Sequence, residues 1–393
     1  QGNEVKNKFA KIPGKYGIIP NILMHLLAQR KKYKKLMEKE KDPFQKAVLD
    51  GFQLAFKVTC NSVYGQCGAS TSPIYCKAIA ASTTAGGRER LIFAKDYVEE
   101  HHNGAVCVYG DTDSVFIDFN IDTEGKTEKE ILQESIDLGI VYGDKITEAI
   151  GEYPHELEYE KTFCPLILMS KKRYVGNLYE HDVNKFKQKS MGIVLKRRDN
   201  ANIVKIIYGG VINKILNGEG IKKSLEFLHS SLDKLANGKF PLEELVVTKT
   251  LRGMYKNPQQ IAHKVLADRM KKRDPGSAPQ VNDRVPYIYI QVKENKKVKL
   301  LQGDKIEDPK YAVENKLTPD YGHYISNQLM KPCLQLYSMI LEELDGYKHK
   351  NDKDYWKNKE KILMEEKKDK KKVDDKIKQL REKEVEELLF SEY

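Results

Sequence analysis

The sequence predicts an α+β fold, because its helical and strand-like patterns occupy separate stretches of the chain. Apolar residues recur at helical spacing over residues 21–64 and again after Gly192, whereas runs typical of strands are confined to 105–119 and 157–169. With 393 residues, 40% of them hydrophobic, the chain is long enough for one large domain or for two to three smaller units with buried cores.

The first helical stretch is predicted to be a hairpin. Pro20 suits the first turn of a helix, and apolar residues recur at helical spacing from there to Glu40. Asp42-Pro43 is a turn signal, and a second helical pattern runs over 44–64. Two helices of about twenty residues joined by so short a turn should lie antiparallel.

Helices and strands alternate in the middle of the chain. We predict a helix over 79–101, strands over 105–109 and 114–119 about a tight turn, a helix over 127–152, and strands over 157–160 and 165–169. Thr127, followed three residues later by Glu130, is a capping-box start for the second of these helices.

The last two hundred residues, roughly, are predicted to be mostly helical, with a Pro/Gly-rich loop at 274–279. More than half of the residues over 348–388 are charged, and the two signs are interspersed. This composition is typical of a solvated helix or a disordered tail. We therefore expect the tail to be dispensable for chemistry, although its apolar residues around Leu388 could dock a partner helix.

Composition narrows the classes of partner and cofactor. The chain carries 68 Lys and Arg against 57 Asp and Glu, a net charge of +11, which favours a polyanion: nucleic acid first, a membrane surface second. No run of about 18 apolar residues occurs, which argues against a membrane-spanning helix. The six cysteines form no CxxC pair, so we expect neither an iron–sulfur nor a zinc module, and free thiols in a reducing compartment.

The strongest local signal for chemistry is the stretch Tyr109 to Ser114, YGDTDS, between two apolar strands. Asp111 and Asp113 would project from a hairpin tip into one small volume, where a hard divalent cation such as Mg²⁺ would offset their repulsion. The alternative is an ordinary solvated turn, since Asp and Gly are common turn formers. A calcium loop is disfavoured, because the third acidic position and the following Gly of that pattern are missing.

A polar stripe on the second predicted helix is the next signal. Gln53, Lys57, Asn61 and Tyr64 recur at spacings of four, four and three residues, so they share one face. On the first helix, Arg30 and Lys34 are one turn apart, and folding the hairpin at Pro43 brings Arg30 near the level of Lys57. Three cations facing a common space would suit a triphosphate, and a solvated helix face remains the alternative.

Four stretches in order resemble family B DNA polymerases. Residues 57–65 (KVTCNSVYG) match the fingers motif KxxxNSxYG, residues 109–114 match the palm motif YGDTDS, and residues 171–174 resemble the KKRY motif. Residues 270–280 resemble the thumb of delta-type and large-DNA-virus members. The resemblance covers residues 17 to about 345. It implies a right-hand polymerase with helical-hairpin fingers, an antiparallel palm sheet and a mostly helical thumb.

The resemblance assigns roles residue by residue. Asp113 and Asp111 would hold two Mg²⁺ ions, and Glu160 lies where some relatives place an accessory metal ligand, although a Glu paired with a nearby Lys is the more common case. The incoming dNTP would be bound by Arg30, Lys34, Lys57, Asn61 and Tyr64. The primer–template would be held by Lys171, Lys172, Arg173, Tyr174, Lys196, Arg197, Arg198, Lys271, Lys272 and Arg273, though the basic runs at 196–198 and 270–273 are also compatible with an ordinary solvated surface.

The same resemblance predicts the domains and the missing parts. Residues 1–19 would be the approach to the fingers, 20–65 the fingers, 66–190 the palm, 191–345 the thumb and 346–393 a charged tail. The first palm carboxylate motif, DxxSLYPS, and an exonuclease domain do not occur, and the chain begins at Gln1 without Met. We therefore expect a C-terminal fragment that alone binds DNA weakly and does not extend a primer usefully.

The expected partners are primer–template DNA, dNTP, the upstream part of the same polymerase in cis or as a second chain, and a sliding clamp, with no membrane. The absence of cysteine-rich C-terminal modules favours a viral source. We expect an intracellular protein, located in the host nucleus or at a cytoplasmic replication site if the source is viral. Two alternatives stay open: a primer–template-binding split subunit, and an inactive polymerase-like fragment that needs a partner chain.

Overall fold

The computed structural model describes residues 7–10, 13–151, 154–292, 300–367 and 369–393. These divide into two compact units, the first made of Gln1–Glu124 with Leu138–Glu158 and the second of Gly125–Asp137 with Tyr159–Tyr393. Helices and short antiparallel sheets occupy largely separate stretches, which confirms the α+β prediction. In the described residues, no helix is both long and apolar enough to cross a membrane.

The first unit begins with the predicted helical hairpin, α1 (Ile18–Lys39) and α2 (Pro43–Gly68). Asp42 caps α2 by accepting hydrogen bonds from the N–H groups of Phe44 and Gln45, both at 3.3 Å, and Pro43 occupies the first helical turn, where its missing N–H costs nothing. Tyr33 of α1 stacks on two rings of α2, with centroids 5.0 Å from Phe52 and 5.5 Å from Phe56. The hairpin is confirmed.

The rest of the first unit comprises α3 (Lys77–His101), β1 (Val106–Asp111), β2 (Ser114–Asp118) and the later part of α4 (Glu128–Ile150). Strands β1 and β2 form a two-stranded antiparallel sheet. Buried side chains of these elements and their flanks form a small core: Ala94, Val98, Ala105, Phe119, Tyr142 and Ile146. The capping box at the start of α4 is confirmed, because the Glu130 carboxylate accepts from both the N–H and the hydroxyl of Thr127 at 2.8 Å.

One predicted strand is wrong. Residues 157–160 are not a strand, because the Leu157 N–H donates to Thr147 Oγ1 at 2.8 Å and the Leu157 carbonyl accepts from the same hydroxyl at 3.2 Å. These backbone groups are satisfied by a side chain of α4 and join no ladder. The next strand, β3 (Thr162–Ser170), begins two residues beyond the predicted strand and runs through the predicted 165–169.

The second unit contains two small antiparallel sheets. The first has the order β3–β4–β5, with β4 (Arg173–Tyr179) and β5 (Phe186–Met191). The second has the order β6–β7–β8, formed by β6 (Val247–Thr250), β7 (Arg284–Tyr289) and β8 (Ile306–Glu307). The sequence pattern did not reveal the second sheet, which is assembled from short strands separated by a helix and loops.

The helices of the second unit surround its main core. They are α5 (Asn202–Leu216), α6 (Ile221–Ala236), α7 (Ala262–Arg273), α8 (Pro309–Glu314), α9 (Tyr321–His323), a π-helix (Tyr324–Leu329), α10 (Met330–Tyr337), α11 (Tyr355–Lys367) and α12 (Lys370–Leu389), with 3₁₀ turns at Val194–Lys196, Leu242–Leu245, Pro258–Gln260, Gln302–Lys305 and Ser338–Glu343. The centre is α5, whose residues Ile203, Val204, Ile207, Tyr208, Val211 and Ile212 are fully or almost fully buried.

The charged tail is part of that core, which corrects the expectation of a solvated helix or a disordered segment. Val385, Leu389 and Phe390 at the end of α12 are buried in the same cluster as α10. Arg381 donates through Nε to the carbonyl of Ser338 at 2.8 Å and pairs with the Glu342 carboxylate through both terminal nitrogens. The apolar residues that were expected to dock a partner helix therefore pack within the chain.

Candidate active site

The acidic tip is the two-residue turn between β1 and β2, both in the first unit. Asp111 pairs with Ser114 across the hairpin, so Thr112 and Asp113 form the turn. The Asp113 N–H and the Ser114 hydroxyl both donate to the Asp111 carbonyl, at 2.6 and 3.2 Å. Strand β1 thus extends to Asp111, two residues further than the sequence predicted, so that Asp111 ends the ladder and Asp113 lies in the turn beside it.

The backbone of the tip is strained. Thr112 adopts a left-handed conformation, with φ of 57°, which is costly for a β-branched residue. Its hydroxyl donates to Asp111 Oδ1 at 3.1 Å and so helps to orient that carboxylate. Asp111 is half-buried and Asp113 is exposed. The tip thus combines a strained residue, an oriented Asp111 carboxylate and an exposed Asp113 carboxylate.

The donor set of the tip fits part of a magnesium site. Two carboxylates supply the hard oxygen ligands that Mg²⁺ prefers, and a bound phosphate or water supplies the remainder in many such sites. Among the described residues, no group of three or more His, Cys, Asp or Glu side chains could hold a metal ion. Asp111 and Asp113 are therefore at most a partial ligand set within the described chain.

The cationic residues lie on the α1–α2 hairpin of the same unit. Because Tyr33 stacks between Phe52 and Phe56, Arg30, one turn earlier on α1, lies near the level of Lys57 on α2. The Arg30 Nε atom is buried and has no hydrogen-bond partner among the described residues. Lys34 and Lys57 are exposed, and no ion pair to either occurs among the described residues. Charges held without protein partners are suited to an anionic ligand.

The remaining stripe residues lie further along α2. Asn61 is exposed, and the half-exposed Tyr64 shares a 3.0 Å hydrogen bond between its hydroxyl and Thr84 Oγ1 on α3. Gln53 instead donates to Asp50 Oδ1 at 2.8 Å within the helix. Thr84 was not predicted, because a partner twenty positions away on another helix leaves no local signal.

The KKRY stretch forms the turn between β3 and β4 in the second unit. Ser170 pairs with Arg173, so Lys171 and Lys172 form an exposed two-residue turn, with Lys172 at φ of 60°. Arg173 does not project with them: a terminal nitrogen of its guanidinium donates to Gln335 Oε1 on α10 at 2.7 Å. The Tyr174 ring lies edge-on to Phe163, with centroids 5.7 Å apart.

Two further arginines of the predicted DNA-binding set have carboxylate partners. Arg197 donates to both oxygens of Asp199, at 3.0 and 2.8 Å, and this pairing holds the pKa of Asp199 below its usual range. Arg273 donates to both oxygens of the buried Glu307, at 3.0 and 2.8 Å, and its guanidinium lies 3.6 Å from the centroid of the Tyr311 ring. Both guanidinium groups are engaged within the second unit.

The other predicted positions differ in exposure. Lys271, Lys272 and Arg198 are exposed, while the side chain of Lys196 lies outside the described part of the chain. Glu160 is exposed and accepts a hydrogen bond from Lys161 Nζ at 2.6 Å. This Glu–Lys pair is the alternative to the predicted role of Glu160 as a metal ligand.

The first unit thus carries both an acidic hairpin tip and a cationic helical hairpin. Comparison with known proteins identifies the family: the family model "DNA polymerase family B" matches residues 3–340. The chain belongs to this family. The match ends within the 3₁₀ turn Ser338–Glu343, so α11 and α12 lie outside it.

Individual relatives agree with the family model. The chain is 55% identical over 350 residues to a protein named DNA polymerase from Pyramimonas orientalis virus, covering 89% of this chain and 29% of the relative. It is 39% identical over 346 residues to the DNA polymerase delta catalytic subunit of Schizosaccharomyces pombe, covering 85% and 30%. The chain therefore spans about a third of the length of these relatives.

The fold is also found among solved structures. The family B DNA polymerase from the archaeon Pyrobaculum calidifontis superposes with a TM-score of 0.56 over 82% of this chain and 38% of the archaeal chain, at 22% sequence identity. This likeness supports the overall α+β fold.

Proposed function

We propose that this chain forms the fingers, palm and thumb of a template-directed DNA polymerase, which transfers a nucleotide from dNTP to a primer 3′-hydroxyl. The observation that carries the proposal is the strained β1–β2 turn, which presents Asp111 and Asp113 in a member of family B. In this proposal α1 and α2 are the fingers, β1 to β5 belong to the palm, and the helices after Gly192 form the thumb.

Asp111 and Asp113 would hold two Mg²⁺ ions at the hairpin tip. When bound, these ions supply charge stabilisation for the primer oxygen and for the triphosphate. The protein's own share is to orient the Asp111 carboxylate through Thr112 and to keep Asp113 exposed to the substrate. Glu160 would serve as an accessory ligand only if its carboxylate released Lys161 Nζ and bound a metal ion in its place.

Arg30, Lys34 and Lys57 would bind the triphosphate, since positive charge is needed where phosphate charge develops. The unpartnered Nε of Arg30 supports this role, because a buried donor without an acceptor is costly until a ligand supplies one. Tyr64 would pack beneath the new base pair, held by Thr84, and Asn61 would contact the nucleotide or the template.

Lysines of the second unit would bind the primer–template backbone, independently of the base sequence. Lys171, Lys172, Lys271 and Lys272 are exposed, as is Arg198, and the net charge of +11 favours a polyanion. Arg197 and Arg273 would position these segments, because their guanidinium groups already have carboxylate partners. A sliding clamp stays among the proposed partners, and a replication site in the nucleus or cytoplasm of a host stays the proposed location.

A chimaera tests the proposal. This chain would replace the matching region of the 55% identical viral relative, and the product would be assayed for extension of a primed template with Mg²⁺ and dNTP. We expect extension by the chimaera and a loss of about 10³-fold on Asp113→Asn, since a ligand that acts on the transition state is removed. Asp118→Asn, at the exposed end of β2, is the matched control and should retain activity.

The same experiment separates the alternatives. Because the described residues offer only a partial ligand set, residues 1–393 alone should bind primer–template without extending it. A chimaera that binds DNA but never extends a primer would make this chain a DNA-binding module. Equal extension by the Asp113→Asn and Asp118→Asn variants would overturn the assignment of the tip.

A further inference from the structure

The β3–β4 turn is fixed to the helices of the second unit. Arg173, the first residue of β4, donates to Gln335 Oε1 at 2.7 Å, and both side chains are partly buried. Gln335 lies on α10, whose neighbouring residues Cys333, Leu336 and Tyr337 are buried in the main core. A guanidinium held in this way is a link between the turn and the helical core.

Two more contacts immobilise the same turn. The Tyr208 hydroxyl on the buried helix α5 donates to Met169 Sδ at 3.6 Å, near the end of β3. On the other side, Gly192 has φ of 62°, and a Cβ there would lie 2.1 Å from the Lys172 carbonyl oxygen. Only glycine permits this approach of the two backbones. The turn therefore has a defined position relative to α5 and α10.

We propose that Arg173 is a positioning residue that sets the Lys171–Lys172 turn for the DNA backbone through Gln335, and that it does not contact phosphate itself. The inference rests on the proposed function, because it needs the chain to bind DNA. An Arg offers a planar fork that suits a fixed acceptor, whereas Lys carries a mobile point charge. The turn uses both properties: the Arg side chain is anchored and Lys171 is exposed at the tip.

The anchor continues into the C-terminal helix. The Ser338 hydroxyl donates to the Gln335 carbonyl at 3.2 Å, and Arg381 of α12 donates to the Ser338 carbonyl at 2.8 Å. Helix α12 lies beyond the residues that match the family model. A segment outside the family region thus supports the helix that orients Arg173.

The test is a double-mutant cycle on DNA binding. Fluorescence anisotropy with a labelled primer–template duplex would be recorded over a range of KCl concentrations for the 393-residue chain, Arg173→Gln, Gln335→Leu and the double variant. We expect both single variants to weaken binding by a similar factor, about three- to tenfold, and the double variant to bind no more weakly than either. Because Gln335 is uncharged and accepts from Arg173, an effect of Gln335→Leu that disappears in the Arg173→Gln background acts through Arg173.

Lys171→Gln is the matched reference for a direct phosphate contact. It should lower the slope of log Kd against log salt by about 0.9, and Gln335→Leu should lower it by less. If Gln335→Leu binds like the unaltered chain while Arg173→Gln loses a full 0.9 of slope, Arg173 contacts phosphate and the inference is wrong. A chain that fails to bind primer–template at any salt concentration overturns the proposed function as well.

A further variant keeps the proposal testable if Gln335→Leu or the double variant fails to fold. Gln335→Glu retains an acceptor for the Arg173 guanidinium and strengthens the link with a charge. Positioning through Gln335 predicts affinity within about twofold of the unaltered chain. If Arg173 instead served phosphate directly, the new carboxylate would compete for it and weaken binding by about tenfold.

Discussion

The basic residues of the two predicted binding sets differ in what their charges contact. In the first unit, Arg30 has a buried Nε without a hydrogen-bond partner, and the described residues form no ion pair with Lys34 or Lys57. In the second unit, the guanidinium groups of Arg173, Arg197 and Arg273 bind Gln335, Asp199 and Glu307. We propose that the charges of Arg30, Lys34 and Lys57 serve a ligand. The guanidinium groups of Arg173, Arg197 and Arg273 instead hold elements of the second unit together.

The second unit repeats one arrangement at two places. The sequence Lys-Lys-Arg occurs at 171–173 and at 271–273, and in both runs the two lysines are exposed while the Arg side chain binds another element of the same unit. The guanidinium has five donors in a rigid fork, so it satisfies a fixed acceptor better than an ammonium does. A basic run in a sequence is therefore not a set of equivalent phosphate contacts.

Breaking the Arg273–Glu307 pair should give the largest loss of stability. The Glu307 side chain is 5% exposed, so Arg273→Ala removes its bidentate partner and, among the described residues, leaves the buried carboxylate only the Arg269 Nε at 3.4 Å and the Asp308 N–H at 2.8 Å. We expect the free energy of unfolding to fall by about 3 kcal/mol, measured by urea denaturation followed by circular dichroism.

Lys272→Ala is the matched control for that variant. Lys272 is exposed one position earlier, so its removal should leave the unfolding midpoint unchanged and weaken DNA binding with a lower salt slope. Equal stability of the two variants would show that Arg273 does not hold the scaffold and would restore it to the phosphate-binding set.

The C-terminal helix gives the next largest effect. Leu389→Ala removes a side chain that is 6% exposed in the core of the second unit, and should cost about 2 kcal/mol of unfolding free energy. Ile362→Ala on α11, where the side chain is 55% exposed, should cost little. If thermal unfolding of both variants matches that of the unaltered chain, the tail is peripheral and the original expectation of a dispensable segment regains support.

The sequence predicts the parts of this molecule whose signals are local. The α1–α2 hairpin follows from helical periodicity and the Asp42-Pro43 turn, and the acidic tip follows from six consecutive residues. The tail was misjudged because its charge density dominates the composition, whereas a few spaced residues such as Val385 and Leu389 decide its packing. Interactions between distant residues were missed because they leave no local signal: Arg173 and Gln335 are separated by 162 positions.

Lys57 gives the clearest test of whether a charge of the first unit binds a ligand or stabilises the fold. It is exposed on the polar face of α2 and makes no ion pair with any described residue, so its loss should leave folding unchanged. In the chimaera, Lys57→Gln should raise the KM for dNTP by about tenfold, because a charged hydrogen bond to the triphosphate is lost. Steady-state extension by a single nucleotide measures this change.

Lys46→Gln, on the first turn of the same helix, is the control and should leave the KM unaltered. An unchanged KM in both variants would place Lys57 on an ordinary solvated face, and would leave Arg30, with its unpartnered Nε, as the strongest candidate for binding the nucleotide.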